Sequence, residues 1–521
     1  MDPSQAIHSV AVIGGGPSGL AAARRLLEAG ISVTVFERRA ELGGIWFYEE
    51  APGSMPPGVD GIDKYMEFPS PCYPSLKTNL ITPIMSLGDY AHREGTKLFV
   101  PHRQVLEYLR SFAHEFGIGP RVRCNNSVVR LTKLPGSRWT VTLEPAKAGK
   151  SRFKKIPKNN AVNEDFDAVV VCNGHYDVPR VPEIPGIEAW TSRWRECFMH
   201  SRYYQDNNAF VSKTVLVIGS GVSAFDLSKE IALVAKKVIQ ARRSHPADDG
   251  RDAEEKLIEQ FTRSTLPDNM IQVAEVARFG RTDSETSMPD AEVALMDGTT
   301  TSGVDFVLLC TGYKYSAPFL CGTTATGPEK TKSDILSQLI TDGSEMHNLH
   351  HDIFFIPEPT LAFVGVPQYI TTFRMFDFQA LAIAAVFSNK ATLPTRFEMQ
   401  AAYSRRVATR LSPGTLNFMG SSKELSYVRS IANWINTPEI LSAAKALQQL
   451  AQYTKRHAVE ICKSRLMEGR EYASEAERVA FEILLDRKMA ILSRELAKLQ
   501  TGGVVTASGY KLATAPRLAA S

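Results

Sequence analysis

Ser9 to Ile13 (SVAVI) is a short β-branched run, the pattern of a strand buried on both faces in a parallel sheet. A glycine-rich turn follows, and then apolar residues fall at helical spacing from Leu20 to Ala29. Gly30 stops that helix, and Val33 to Phe36 predicts a second strand ending at Glu37. The same order recurs far down the chain. Thr214 to Ile218 predicts a strand, Gly219 to Ala224 a second glycine turn, Phe225 to Ala235 a helix, and Val238 to Gln240 a strand running into Arg242 and Arg243. These are two βαβ units, each of a size to carry a nucleotide, and the expected fold class is α/β with two Rossmann-like domains.

Between the units, Val100 to Phe116 predicts a helix and the stretch through Val128, Trp139 and Val141 predicts strands. The loop Pro145 to Asp165 carries Lys147, Lys150, Arg152, Lys154, Lys155 and Lys158, a pattern that suits a solvated hairpin insertion. Strand signals resume at Ile353 to Phe355 and Leu361 to Val366, so the chain is expected to return to its first domain. From Glu439 to Gln500 helix formers dominate. Val479, Ile483, Leu484, Met489, Leu492, Leu496 and Leu499 fall near a 3.6 period, a stripe expected to pack on the body of the protein. Pairing of that stripe in a homodimer is the alternative. The polar tail from Thr501 is expected to be disordered.

Composition narrows the class. The 521 residues, 44% hydrophobic and 22% charged, describe a globular protein of about three or four domains. Sixty basic against 56 acidic residues give a net charge of +4, which offers no electrostatic reason for a nucleic-acid or anionic-membrane partner. The densest apolar run, Phe376 to Phe387, contains Asp377 and Gln379 and falls short of the ~18 residues of a membrane-spanning helix. No secretory signal or membrane anchor is visible, and the expected location is cytoplasmic. Seven scattered cysteines form no disulfide framework. The closest two, Cys310 and Cys321, stand 11 positions apart, which excludes the Cys-x-x-Cys pair of a dithiol reductase.

The first turn, Gly14-Gly15-Gly16-Pro17-Ser18-Gly19, fits G-x-G-x-x-G between a strand and a helix. Gly14 permits the tight turn, Gly16 lets a pyrophosphate approach the backbone, and Gly19 lets the helix sit close to the sheet. Free N–H groups at the helix N-terminus hold the phosphates. Glu37, at the end of the next strand, accepts from a ribose 2′-OH and excludes a 2′-phosphate, so the first site favours FAD or NAD. The second turn, Gly219-Ser220-Gly221-Val222-Ser223-Ala224, is a G-x-G-x-x-A variant whose following strand ends in Arg242-Arg243. A guanidinium there pairs with a 2′-phosphate, and the second site should take NADPH. The spacing does not tell which arginine reaches it. A bound FAD with an NADPH site describes a flavoprotein reduced by hydride transfer.

Several further motifs resemble the flavin-containing monooxygenases, class B flavoproteins, over the chain to about Asn436. They are Glu41-Leu42-Gly43-Gly44-Ile45-Trp46, Tyr73-Pro74-Ser75-Leu76-Lys77-Thr78-Asn79, Cys172-Asn173-Gly174-His175-Tyr176 with Pro179, Pro182 and Pro185-Gly186, Thr311-Gly312-Tyr313 with Pro318-Phe319-Leu320, and Leu361 to Gly365. The family's F-x-G-x-x-x-H-x-x-x-(F/Y) fingerprint is met only in part: His200 and Tyr204 match, while Trp194 and Glu196 replace the Phe and the Gly. The second turn departs from the family's G-x-G-N-S-G at Val222 and Ala224, while Ser223 and Asp226 match.

The resemblance implies cofactor contacts from Gly44, Ile45, Trp46, Thr78, Asn79, Leu80, Val128 and His200, beside those of the two turns. It implies an enzyme of the N,N-dimethylaniline monooxygenase type: NADPH reduces FAD, NADP⁺ stays bound, and O2 adds to give a C4a-hydroperoxyflavin attacked by a soft nucleophile. Asn79 is the side chain expected to act, because a carboxamide offers both donor and acceptor without an acidic proton. No acid–base pair, metal cluster or nucleophile–base set stands out. The expected domains are 1–205 for FAD, 206–320 for NADPH, 321–436 returning to the FAD domain, and 437–521 a helical extension with its tail. The expected partners are O2 and a small organic substrate with nucleophilic nitrogen or sulfur, as in relatives of secondary metabolism. Baeyer–Villiger oxygenation of a ketone, an NADPH oxidase and an inactive cofactor-binding protein are the alternatives.

Overall fold

The computed structural model describes residues 6–49, 70–134, 138–145, 161–243, 256–257, 266–282, 287–321, 335–410 and 412–467, and separate helical positions between 475 and 492. The lysine-rich run at 147–158, residues 322–334 and the tail from Thr501 lie outside them. The chain divides into two compact units, 1–244 with 269–448, and 245–268 with 449–521.

In the first unit the chain runs through β1 (Ser9–Ile13), α1 (Pro17–Glu28), β2 (Ser32–Phe36), α2 (His102–Glu115) and β3 (Val122–Arg123). A meander of β4 (Asn126–Lys133), β5 (Trp139–Pro145) and β6 (Val162–Phe166) leads to β7 (Ala168–Val171) and the short β8 (Val178–Pro179). After α3 (Ile187–Arg193) come β9 (Phe198–His200), β10 (Thr214–Ile218), α4 (Val222–Ala232), β11 (Lys237–Arg242) and β12 (Met270–Ala274). The small strands β13 (Val276–Phe279), β14 (Val293–Leu295) and β15 (Thr300–Thr301) precede β16 (Phe306–Leu309) and β17 (Tyr313–Lys314). The chain then adds β18 (Leu349–His350), β19 (Phe354–Phe355) and β20 (Leu361–Phe363).

Two sheets dominate. One has the order β18-β19-β20-β7-β1-β2-β3, the other β12-β11-β10-β16-β9. Strands β1 and β10 are central and pair in parallel on both sides, β1 with β2 and β7, β10 with β11 and β16. Each is buried along nearly its whole length, which is why both read as unbroken apolar runs. The return of the chain to the first sheet is made by β20, which lies parallel to β7. That strand ends at Phe363, before the expected Val366, because Gly365 already turns the backbone at φ +89°.

Helix α1 begins at Pro17, ahead of the apolar periodicity, because proline at its first position is preset for a helix and sacrifices no bonded N–H. Its buried face packs on the helix Thr372–Phe387, the most apolar run in the chain. There Arg25 clasps Asp377 with two bonds of 2.8 and 2.7 Å. Among the described residues no helix is long and apolar enough to cross a membrane.

The second unit has a core of its own, formed by Leu257, Cys462, Leu466, Leu485, Met489 and Leu492. Met489 and Leu492 of the predicted stripe are buried in it, whereas Val479 is 40% exposed. Met489 and Leu492 therefore pack within this smaller unit, together with Leu257 from the excursion between β11 and β12.

Candidate functional site

Both glycine turns sit at the carboxyl ends of the central strands, and they are built alike. Gly14 donates its N–H to Phe36 O (2.8 Å), and Gly219 to Ala241 O (2.9 Å). The residue after the neighbouring strand closes each turn: Cys172 donates to Ile13 O and Cys310 to Ile218 O, both at 2.8 Å. Gly14 and Gly219 have φ values of +108° and +139°, which only glycine adopts without strain. The last position of the glycine pattern differs between the copies. A β-carbon on Gly19 would lie 1.8 Å from Gly14 O, whereas Ala224 carries its methyl fully buried.

Gly16 and Gly221 are the N-cap residues of α1 and α4, which have no side-chain cap and no acidic residue in the first turn. Their leading N–H groups, short of partners by helix geometry, therefore point out of the turn as an anion site. A pyrophosphate fits both places.

Glu37 is buried, and its carboxylate does structural work as well as electrostatic. Oε2 accepts from Gly15 N–H at 2.7 Å and Oε1 from Arg39 N–H at 2.8 Å, so it pins the first turn to the end of β2. The segment Gly44–Trp46 forms a 3₁₀ turn laid against this turn: Gly43 N–H donates to Gly15 O (2.9 Å). Arg39, which no sequence motif singled out, donates to the carbonyls of Gly44 (3.1 Å) and Phe47 (2.9 Å), and burial lowers its pKa. Ile45 O accepts from Ser70, and Trp46 meets Phe373 edge-on at 6.3 Å. Val128 lies on β4, half-buried, two residues after Asn126, whose N–H donates to Glu37 O at 2.9 Å.

Thr78 and Asn79 share a loop. Thr78 is buried, donates its N–H to Val100 O (2.9 Å) and accepts Val100 N–H on Oγ1 (3.1 Å). Asn79 beside it is exposed, and among the described residues its carboxamide has no hydrogen-bond partner. Leu80 is half-buried against the first core. The same loop reaches α4 through Ser75, which donates to Glu230 at 2.7 Å, and Tyr73 meets Tyr204 edge-on at 5.1 Å.

His200 closes β9 in the second sheet and is fully buried. Its Nδ1 accepts from Arg202 N–H and its Nε2 lies 3.1 Å from Gly312 O, so both nitrogens are committed to the chain itself. Burial pushes its pKa down to about 3. Arg202, Asp177 and Arg38 form a cluster missed by sequence reasoning, with Asp177 3.1 Å from Arg202 and 3.2 Å from Arg38. Although partial burial opposes it, Asp177 has a lowered pKa because of these cations.

At the second turn, Ser220 and Ser223 flank Gly221, and Arg242 ends β11 with Arg243 just after it. Arg243 is exposed and holds Glu275 at 2.8 Å. The thiols of Cys72, pushed up to about 11, and Cys310, pushed up to about 12, stay neutral because they are buried. No redox pair is available to the turns among the described residues.

This arrangement matches known proteins. The flavin-binding monooxygenase-like family model matches residues 7–247, and the pyridine nucleotide-disulphide oxidoreductase model matches residues 160–354. The flavin-containing monooxygenase ustF2 of Aspergillus flavus is 31% identical over 475 residues, covering 82% of this chain and 92% of the relative. The flavin-containing monooxygenase FMO GS-OX-like 3 of Arabidopsis thaliana is 36% identical over 403 residues, covering 75% and 78%. Among solved structures, S-allyl-L-cysteine S-oxygenase from Allium sativum has a TM-score of 0.66 at 28% identity, covering 93% of this chain and 98% of the other. Cyclohexanone monooxygenase, with a TM-score of 0.51 at 13% identity, shares the fold. The chain belongs to the flavin-containing monooxygenase family. It is a flavin-dependent oxygenating enzyme whose cofactors are FAD and NADPH.

Proposed function

We propose that this chain transfers one atom of O2 to the sulfur or nitrogen of a small organic molecule at the expense of NADPH. The observation that carries the reading is the pair of like-built turns with opposite charge beyond them, Glu37 at one and Arg242-Arg243 at the other. Sulfur stands first because the S-allyl-L-cysteine S-oxygenase is similar over almost the whole chain. The likeness to cyclohexanone monooxygenase, at 13% identity, speaks only for the fold.

FAD, when bound, supplies hydride acceptance and O2 activation. The chain's own residues place it. Gly14, Gly16, Pro17, Ser18 and Gly19 would form the cradle of its pyrophosphate, Glu37 would take the ribose, and Gly44, Ile45, Trp46, Leu80 and Val128 would border it. Gly219, Ser220, Gly221, Ser223 and Ala224 would hold the NADPH diphosphate, with Arg242 and Arg243 at its 2′-phosphate. Thr78, anchored on Val100, keeps a hydroxyl proton to donate and fixes Asn79 at the surface of the loop. The Asn79 carboxamide then hydrogen-bonds the reacting groups without offering an acidic proton. Burial keeps His200 and the thiols of Cys72 and Cys310 neutral, so none of them is a strong acid. His200 acts as a brace between β9 and the Gly312 loop rather than as a ligand group. In domain terms we assign 1–205 and 321–436 to FAD, 206–320 to NADPH and 437–521 to the helical extension, noting that β9 already pairs in the second sheet.

The test is oxygenation under ¹⁸O2 by the purified protein, offered a thioether, a tertiary amine and a ketone in turn. A sulfoxide or N-oxide carrying one labelled oxygen for each NADPH consumed is expected. A colourless protein, hydrogen peroxide as the sole product, or ester formation from the ketone alone would each overturn the proposal.

A further inference from the structure

Tyr369 lies on the loop between Gly365 and the helix Thr372–Phe387, in a stretch without any recognisable motif. Its backbone has φ +57°, the left-handed region that a bulky L-residue avoids. The chain nevertheless holds it there from both sides. Gln368 N–H donates to Asn417 O (2.9 Å), Met419 N–H to Gln368 O (3.0 Å) and Gly420 N–H to Tyr369 O (3.1 Å). Thr371 donates its N–H to Glu424 at 3.1 Å. The ring rests on Phe418 at 4.6 Å between centroids, yet Tyr369 remains 58% exposed.

Strain kept at one exposed side chain, and braced by a second segment, serves the position of that side chain more than the packing of the core. The position is informative. A β-carbon added to Gly221 would lie 3.6 Å from the Tyr369 hydroxyl oxygen. A loop that leaves the first sheet at β20 thus delivers a phenol to the glycine that opens α4 in the second nucleotide fold. Val222, the next residue of that turn, is exposed and aliphatic and offers no hydrogen-bonding side chain. A hydroxyl donor beside Gly221 supplies what Val222 does not.

We propose that Tyr369 donates its hydroxyl hydrogen to the diphosphate of NADPH and so helps retain NADP⁺ at the second turn. This rests on the reading of Gly219 to Ala224 as the NADPH turn, and it adds a contact from outside that fold. A donor to a charged phosphate oxygen strengthens binding in the ground state, so its loss is read in affinity.

The experiment titrates the oxidised, FAD-loaded protein with NADP⁺ and with NAD⁺, followed by the flavin absorbance change and by calorimetry. Tyr369→Phe keeps the ring against Phe418 and removes the donor. About tenfold weaker binding of both nucleotides is expected, at unchanged FAD content and melting temperature. Unchanged affinity for both nucleotides would overturn the proposal. Weakening of NADP⁺ alone would also overturn it, since that places the hydroxyl at the 2′-phosphate. Failure of the unsubstituted protein to bind either nucleotide would instead refute the underlying assignment of the second turn, and the proposal with it. Tyr369→Gly, which relieves the left-handed strain while removing the hydroxyl, should lose as much affinity as Tyr369→Phe. Full affinity in that variant would count against the donor.

Discussion

The carbonyl oxygen of Cys172 lies 2.4 Å from where a β-carbon on Gly14 would stand, and Cys310 blocks Gly219 in the same way at 2.2 Å. In each fold the residue that follows the neighbouring strand, β7 or β16, passes over the first glycine. The opening glycine is therefore a requirement of the sheet, whatever the turn holds. Gly14→Ala adds a left-handed alanine and a backbone clash, with an expected cost of about 2–5 kcal/mol. The variant should be recovered with little or no FAD and a clearly lower melting temperature. A yellow protein of unchanged stability would show that the strand can yield.

Gly221 offers the contrasting case. It has no left-handed backbone, and an added β-carbon meets only the Tyr369 hydroxyl at an ordinary 3.6 Å. Gly221→Ala should fold, keep FAD and melt within about 0.5 kcal/mol of the parent. NADPH affinity should fall, because the methyl occupies the face turned toward the diphosphate. Equal affinities by titration would argue that this face is not where the dinucleotide sits.

The charge beyond β11 sets the choice between NADPH and NADH. Arg243 is already held by Glu275, while Arg242 is half-buried at the strand end. Removing both guanidiniums as Arg242→Ser/Arg243→Ser should cost about 1.4–2.8 kcal/mol of NADPH binding, or roughly ten- to a hundredfold in KM. NADH, lacking the 2′-phosphate, should change little. Steady-state reduction with each nucleotide measures the ratio, and a parallel loss for both would place the arginines elsewhere.

Local patterns made some of this legible in the sequence, and contacts across the chain made the rest illegible. β1 and β10 could be read because burial on both faces leaves no polar interruption, and glycine marks their ends. Glu37 could be placed at the first turn, but its bonds to Gly15 and Arg39 depend on the turn folding back onto β2. Arg39, Asp177 and Arg202 carry no periodic or motif signal, and their meaning comes only from the loops that tertiary structure brings together. Tyr369 is similar, since nothing in Pro367-Gln368-Tyr369-Ile370 announces a braced left-handed tyrosine. The C-terminal stripe showed an apolar face in Met489 and Leu492, but periodicity cannot name a partner such as Leu257, which comes from another part of the chain.

Buried neutral histidines set the acid limit of stability. Burial pushes His175 and His351 down to about 4, and His200 and His350 to about 3. In the unfolded chain each would titrate near 6.5. Below that value the unfolded state binds protons that the native state refuses, so stability is full above about pH 6.5 and falls as pH drops toward 4. Each histidine contributes about 1 kcal/mol of loss by pH 5.5. Carboxylates with lowered pKa, such as Asp177, act only at lower pH. Urea denaturation at pH 7.5 and 5.5 should show the fall, and His175→Asn should make it smaller. Stability that holds steady or rises between those two values would contradict the neutral native histidines.

Asn79 is exposed and, among the described residues, tied to nothing, while its neighbour Thr78 is fastened to Val100. A side chain so placed contributes little to the fold, and substitution should alter stability by no more than about 0.5 kcal/mol. Chemistry is another matter. Asn79→Ala removes both donor and acceptor, and Asn79→Asp keeps the shape but brings a negative charge and, when protonated, an acidic hydrogen. Both variants should stay yellow and still be bleached by NADPH. Product formed per NADPH should drop by about a hundredfold, the usual scale for losing one preorganised hydrogen-bond donor, with hydrogen peroxide making up the difference. The measurement compares sulfoxide, peroxide and NADPH in one reaction. Tight coupling retained by Asn79→Asp would mean that the carboxamide plays no part in oxygen transfer.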